Sequence, residues 1–92
     1  MKLFEILLDE SIVGKEFTHH LLVKAKTLES AQKKAEKYAK KFWGSWEDQP
    51  VRKNEDGWYE FEGGSILVQV VDVQEISKEE WLEKAFERAL IN

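Results

Sequence analysis

The sequence predicts an α+β domain: a two-layer sandwich in the order ββαββα, with a four-stranded, mainly antiparallel sheet and two helices on one face. Three observations carry that prediction. A run of strand-favouring residues extends from Ile66 to Ile76 behind the pair Gly63-Gly64, the longest such run in the chain. Residues 17–26 alternate between two sets of side chains at period two, the repeat of a strand. Residues 28–43 and 78–90 instead space their apolar side chains three and four apart, the repeat of an amphipathic helix. With 92 residues there is enough chain for one core and not for two, so residues 1–92 form a single domain.

In chain order, residues 2–8 are a short apolar run bounded by Asp9-Glu10-Ser11, which gives a first strand. Met1-Lys2-Leu3-Phe4-Glu5-Ile6 carries an acid too early for a signal peptide. In the second strand, Phe17, His19, Leu21, Val23 and Ala25 share one face, and Gly14 suits the hairpin before it. Thr27 is placed to cap a helix whose apolar stripe is Ala31, Ala35, Tyr38, Ala39 and Phe42, and Gly44 stops it near Trp43. Residues 44–57 are polar and turn-rich, a loop with room for a short extended piece at 51–53.

Residues 58–62 form the third strand. If Gly63-Gly64 is a two-residue hairpin turn, counting outward sets Phe61 against Ile66 and Tyr59 against Val68. Continued to residue 72, that count puts an aspartate in the core. A bulge near Val70-Val71 repairs it and returns Val71 and Val73 to the interior. Ser77-Lys78-Glu79-Glu80 is a capping box, opening a second helix over 78–90 that buries Trp81, Leu82, Ala85, Phe86 and Ala89.

Composition narrows the function classes. The chain is 42% hydrophobic and 35% charged, as a folded domain with a charged surface should be. Its net charge of −4 argues against general nucleic-acid binding. The absence of cysteine removes disulfides and thiolate metal sites and fits a reducing cytoplasm. No stretch reaches the roughly 20 apolar residues of a membrane-spanning helix. His19 and His20 point to opposite faces of a strand and cannot share one metal ion; His19 reads as a hydrogen-bonded core residue. The serines lie in turns, loops and caps, and the acids of residues 47–62 lack the spacing of a calcium loop. Neither a catalytic residue, a metal nor a cofactor is expected.

Two surfaces remain. Alternation sends Leu3, Leu7, Leu22, Leu67 and Trp58 to the sheet face away from the core, where antiparallel sheets are usually polar. With Trp46 in the central loop they predict an apolar contact surface. The reading that follows is a non-enzymatic protein–protein interaction module, binding a protein partner or itself as a homodimer, or inhibiting or regulating a larger complex. On the first helix, Glu29 and Glu36 stand four residues before Lys33 and Lys40, a favourable pairing, which leaves Lys34, Lys37 and Lys41 along one edge. The alternative reading is therefore nucleic-acid binding by those lysines, with Trp43 or Trp46 stacking on bases.

Overall fold

The computed structural model describes residues 1–43, 52–85 and 89–91. Strands β1 (Lys2–Ile12) and β2 (Lys15–Ala25) form a long hairpin, followed by helix α1 (Leu28–Lys40), strands β3 (Arg52–Lys53), β4 (Tyr59–Phe61) and β5 (Ile66–Ile76), helix α2 (Lys78–Lys84) and strand β6 (Ala89–Ile91). The fold is α+β. Its sheet runs in the order β3-β4-β5-β1-β2-β6, five strands antiparallel and β6 parallel to β2. The central strand is β1, paired with β2 on one side and β5 on the other along nearly its whole length.

Alternation decides the core. Phe4, Ile6 and Leu8 of β1 meet Leu21, Val23 and Ala25 of β2 and Ile66 and Val68 of β5, and all are buried on one face. Helix α1 closes that face with Ala31, Ala35 and Ala39, all fully buried; three alanines let the helix approach the sheet closely. Tyr38 and Phe42 pack at the margin. Thr27 caps α1 by accepting from the N–H of Ser30 at 3.0 Å.

The hairpin register holds: Phe61 pairs with Ile66 and Tyr59 with Val68. Gly63 and Gly64 have φ of 68° and 94°, the left-handed pair that this turn demands. Opposite Leu7 and Leu8, β5 carries an extra residue, Val71. The bulge turns Val73 toward the core but leaves Val71 51% exposed, so only one of the two valines expected inside is there. Strand β4 pairs only with Ile66–Val68, and among the described residues no strand continues along that edge of β5. The bulge and Asp72, whose carboxylate accepts from the N–H of Val73 at 3.0 Å, blunt that edge against further pairing.

Four expectations are corrected. The first strand does not stop at Leu8 but runs to Ile12, because the acid at position 10 finds donors inside the fold. The second helix is capped as expected by Ser77 and Glu80 but ends at Lys84, and residues 89–91 pair with β2. An open strand edge captures the backbone of this terminal segment, overriding its helical spacing. The sheet accordingly has more than four strands, and the order is ββαβββαβ. Finally, the helices lie on opposite faces. Lys84 of α2 reaches Glu5 at 2.9 Å, and Lys24 stands 5.7 Å from the centre of the Trp81 ring. Glu5 and Lys24 alternate with the core residues and so belong to the other face. Helix α2 buries none of its own residues; Leu82 is 58% exposed and Ala85 is exposed, while Phe86 lies outside the described residues.

The β1–β2 turn is Val13-Gly14, with φ of 49° and 83°. A β-branched residue is poorly suited to the left-handed region, at a cost of about 1–2 kcal/mol. Val13→Asn keeps the turn and removes much of that strain. The expected outcome is a gain of about 1 kcal/mol, read as a higher urea midpoint at unchanged slope.

Candidate functional site

The five apolar side chains predicted on the second face do lie there, but not as one patch. Leu22 stands opposite Glu5 on β1, diagonal to Leu3 and Leu7. This trio lies at the α2 end of the face: Leu22 is 1% exposed, and Leu3 and Leu7 are half-buried. Leu67 stands opposite Ser11, nearer the β1–β2 turn. Trp58, just before β4, continues the alternation onto the same face beside Gln69; both Leu67 and Trp58 are half-buried. The polar row of Gln69, Asp9 and Thr18 separates the two groups. Trp46 lies outside the described residues.

The loop before β4 fixes Trp58. Asn54 folds over its own backbone, its Oδ1 accepting from the N–H of Asp56 and of Trp58, each at 3.0 Å. Gln69 Nε2 donates to the carbonyl of Asp56 at 2.9 Å, which pins this turn to the sheet. The Trp58–Leu67 patch therefore sits on a rigid support.

The basic edge of α1 is less free than its sequence suggests. Lys34 Nζ donates to the carbonyl of Lys24 at 2.8 Å. Lys33 pairs with Glu29 at 3.4 Å as expected, but Glu36 turns instead to Tyr59 and Lys53. Lys37 and Lys41 are exposed. Trp43 is 42% exposed, and its indole Nε1 donates to Glu10 Oε2 at 2.6 Å.

Comparison with known protein families, curated proteins and solved structures finds no match for the chain.

Two clusters of polar side chains went unread in the sequence. Glu10 is 6% exposed, yet it lies on the core face opposite Val68. Its carboxylate accepts from Trp43 and is joined to His19 Nε2 at 2.9 Å. The His19 ring in turn packs against Phe42, centroids 5.1 Å apart. His19 is thus hydrogen-bonded, while His20 turns to Glu5 on the opposite face, 3.8 Å away. In the second cluster, Tyr59 OH donates to Glu36 Oε2 at 2.5 Å and Lys53 Nζ approaches the same oxygen at 3.3 Å. Lys53 also lies 5.2 Å from the centre of the Tyr59 ring. A hollow of about 340 Å3 opens beside them, between Gln32 and Glu36 of α1 and residues Val70–Val73 at the bulge. The only sequence signal for either cluster was an acid at an apolar parity, Glu10 in step with Phe4, Ile6 and Leu8.

Two tests follow. Trp43→Phe deletes one of the two donors to Glu10 and strands a buried carboxylate oxygen, which is expected to cost about 2 kcal/mol in urea unfolding. Tyr59 has its phenol pushed up from 10.0 to about 12, by burial first, then by the hydrogen bond to Glu36 and its negative charge. The folded chain therefore holds this proton more tightly than the unfolded one. The resulting stabilisation is complete below pH 10 and is lost as the pH rises toward 12. Phenolate absorbance should show a late step that Tyr59→Phe removes.

Proposed function

We propose that this protein is a non-enzymatic interaction module that docks on a protein partner, or on a second copy of itself, through the Trp58–Leu67 part of the outer sheet face. One observation carries the reading. Trp58 and Leu67 stay half-buried on a stretch of sheet pinned by Asn54 and Gln69, whereas Leu3 and Leu7, equally half-buried, flank a fully closed Leu22 at the end where α2 lies. Contact sites on small domains are built from such anchored apolar groups. Both histidines, the buried glutamate and Tyr59 are meanwhile engaged in joining one element to another. Regulation or inhibition of a larger complex by occupying one of its surfaces is the mode of action that fits a module of this size.

Nucleic-acid binding through Lys34, Lys37 and Lys41 is the weaker alternative. Lys34 is tied to the backbone of β2, and the edge of the Trp43 ring is held by an acid that repels phosphate. It requires binding that falls steeply with salt.

Light scattering over a range of concentrations separates the forms of the proposal. A self-associating parent should become monomeric on Leu67→Glu, which places a charge in the patch, while its thermal unfolding changes little. A parent that is monomeric throughout removes the homodimer and leaves the heterologous partner. An oligomer indifferent to both Leu67→Glu and Trp58→Glu refutes the use of this patch.

A further inference from the structure

We propose that the end of the molecule bearing Val13, Phe17 and Trp43 is a docking site for a basic side chain, lysine or arginine, presented by a partner protein. The inference gives the partner of the reading above a chemistry, and it rests on that reading only in taking the partner to be a protein.

Two aromatic residues neighbour one carboxylate. Phe17 is the cross-strand partner of Glu10 and shares its face; the indole of Trp43 donates to Glu10 Oε2 at 2.6 Å. Both rings are open to solvent, Phe17 by 48% and Trp43 by 42%. Glu10 beneath them is buried, with an uncharged indole and the imidazole of His19 as its hydrogen-bond partners. Among the described residues no lysine or arginine is paired with it, and residues 44–51 contain none. An acceptor on the indole N–H also drives electron density into the ring, which makes its face a better seat for a cation. A cation seated between the exposed Phe17 and Trp43 would thus be offered aromatic surface and lie close to a carboxylate shielded from water. It would be attracted through the rings without touching Glu10.

The surroundings favour a protein as the source of that cation. Val13, at the tip of the adjoining turn, is 80% exposed and held at positive φ, so it contributes neither burial nor an easy turn to this fold. A protein surface that set a basic side chain on the rings would cover Val13 as well. A free ammonium ion would leave it bare. The tip is also anchored, the N–H of Val13 donating to the carbonyl of Ser65 at 2.9 Å, so the contact is preformed.

The test follows the indole N–H resonance of Trp43, assigned by through-bond correlation in the full chain. Short blocked peptides centred on lysine or arginine are titrated beside the same peptides carrying Nε-acetyl-lysine or citrulline, which keep shape and lose charge. The expected result is a saturable shift with a charged peptide, at least several-fold weaker with its neutral counterpart. Phe17→Leu, which keeps bulk but removes a ring, should weaken the charged peptide several-fold. Equal shifts from charged and neutral peptides, no shift at millimolar peptide, or unchanged affinity in Phe17→Leu each overturn the proposal. Tetramethylammonium binding as tightly as the peptides would assign the site to free ammonium compounds and overturn the protein partner. None of these outcomes alters the scattering of Leu67→Glu, so the two readings fail separately.

Discussion

Strand β1 is hydrogen-bonded on both sides for nearly all its length, and the rest of the structure depends on that position. A strand so placed cannot shift by one residue without exchanging its two faces along its entire length. Phe4, Ile6 and Leu8 therefore fix the orientation of β2 and β5, and through them the side on which α1 must close. The same constraint carries Glu10 indoors, in step with the apolar residues, and Glu5 to the opposite face. Both acids are kept there by donors drawn from elsewhere in the chain.

Glutamates act as fasteners throughout this small fold. Glu10 joins β1 to β2 through His19 and to the end of α1 through Trp43. Glu36 ties α1 to β3 and β4 through Lys53 and Tyr59. Glu5 holds α2 against the second face through Lys84. Hydrogen bonds to ionised groups are stronger than neutral ones and demanding of geometry, so each fixes how two elements sit against one another. This matters most for α2, which buries none of its own residues. A composition rich in charge thus reflects internal joints as well as a solvated surface.

The second face is divided, and α2 meets it at one end, through Lys84 on Glu5 and Trp81 beside Lys24. At that end Leu22 is closed off and functions as core between half-buried Leu3 and Leu7, whereas Trp58 and Leu67, toward the β1–β2 turn, are half-buried with no fully closed residue between them. The open aromatic rings of Phe17 and Trp43 lie at this same end, on the other face of the sheet. Three of the exposed apolar and aromatic side chains, Val13, Phe17 and Trp43, thus gather at the β1–β2 turn end of a molecule 41 Å long, while Met1, Leu28 and Leu82 are exposed toward the other.

Local chemistry made much of this legible. The Thr27 cap, the Ser77–Glu80 capping box, the glycine turn at 63–64 and the register it imposes are set by residues close in sequence, and the bulge was betrayed by an aspartate out of step. Parity alone also told which residues of β1, β2 and β5 face inward. It could not tell how long β1 is, since whether Glu10 ends a strand or continues one depends on His19 and Trp43 arriving from 9 and 33 residues away. Nor could it place α2, because the choice of face is made by Glu5 and Lys24 meeting Lys84 and Trp81 across the whole chain. Neighbouring residues are enough to set the turns, the caps and the two-sided pattern of the sheet. Where the second helix ends, which face it meets and which apolar residues stay open emerge only in the folded chain, because those outcomes turn on competition between distant groups for the same strand edge and the same sheet surface.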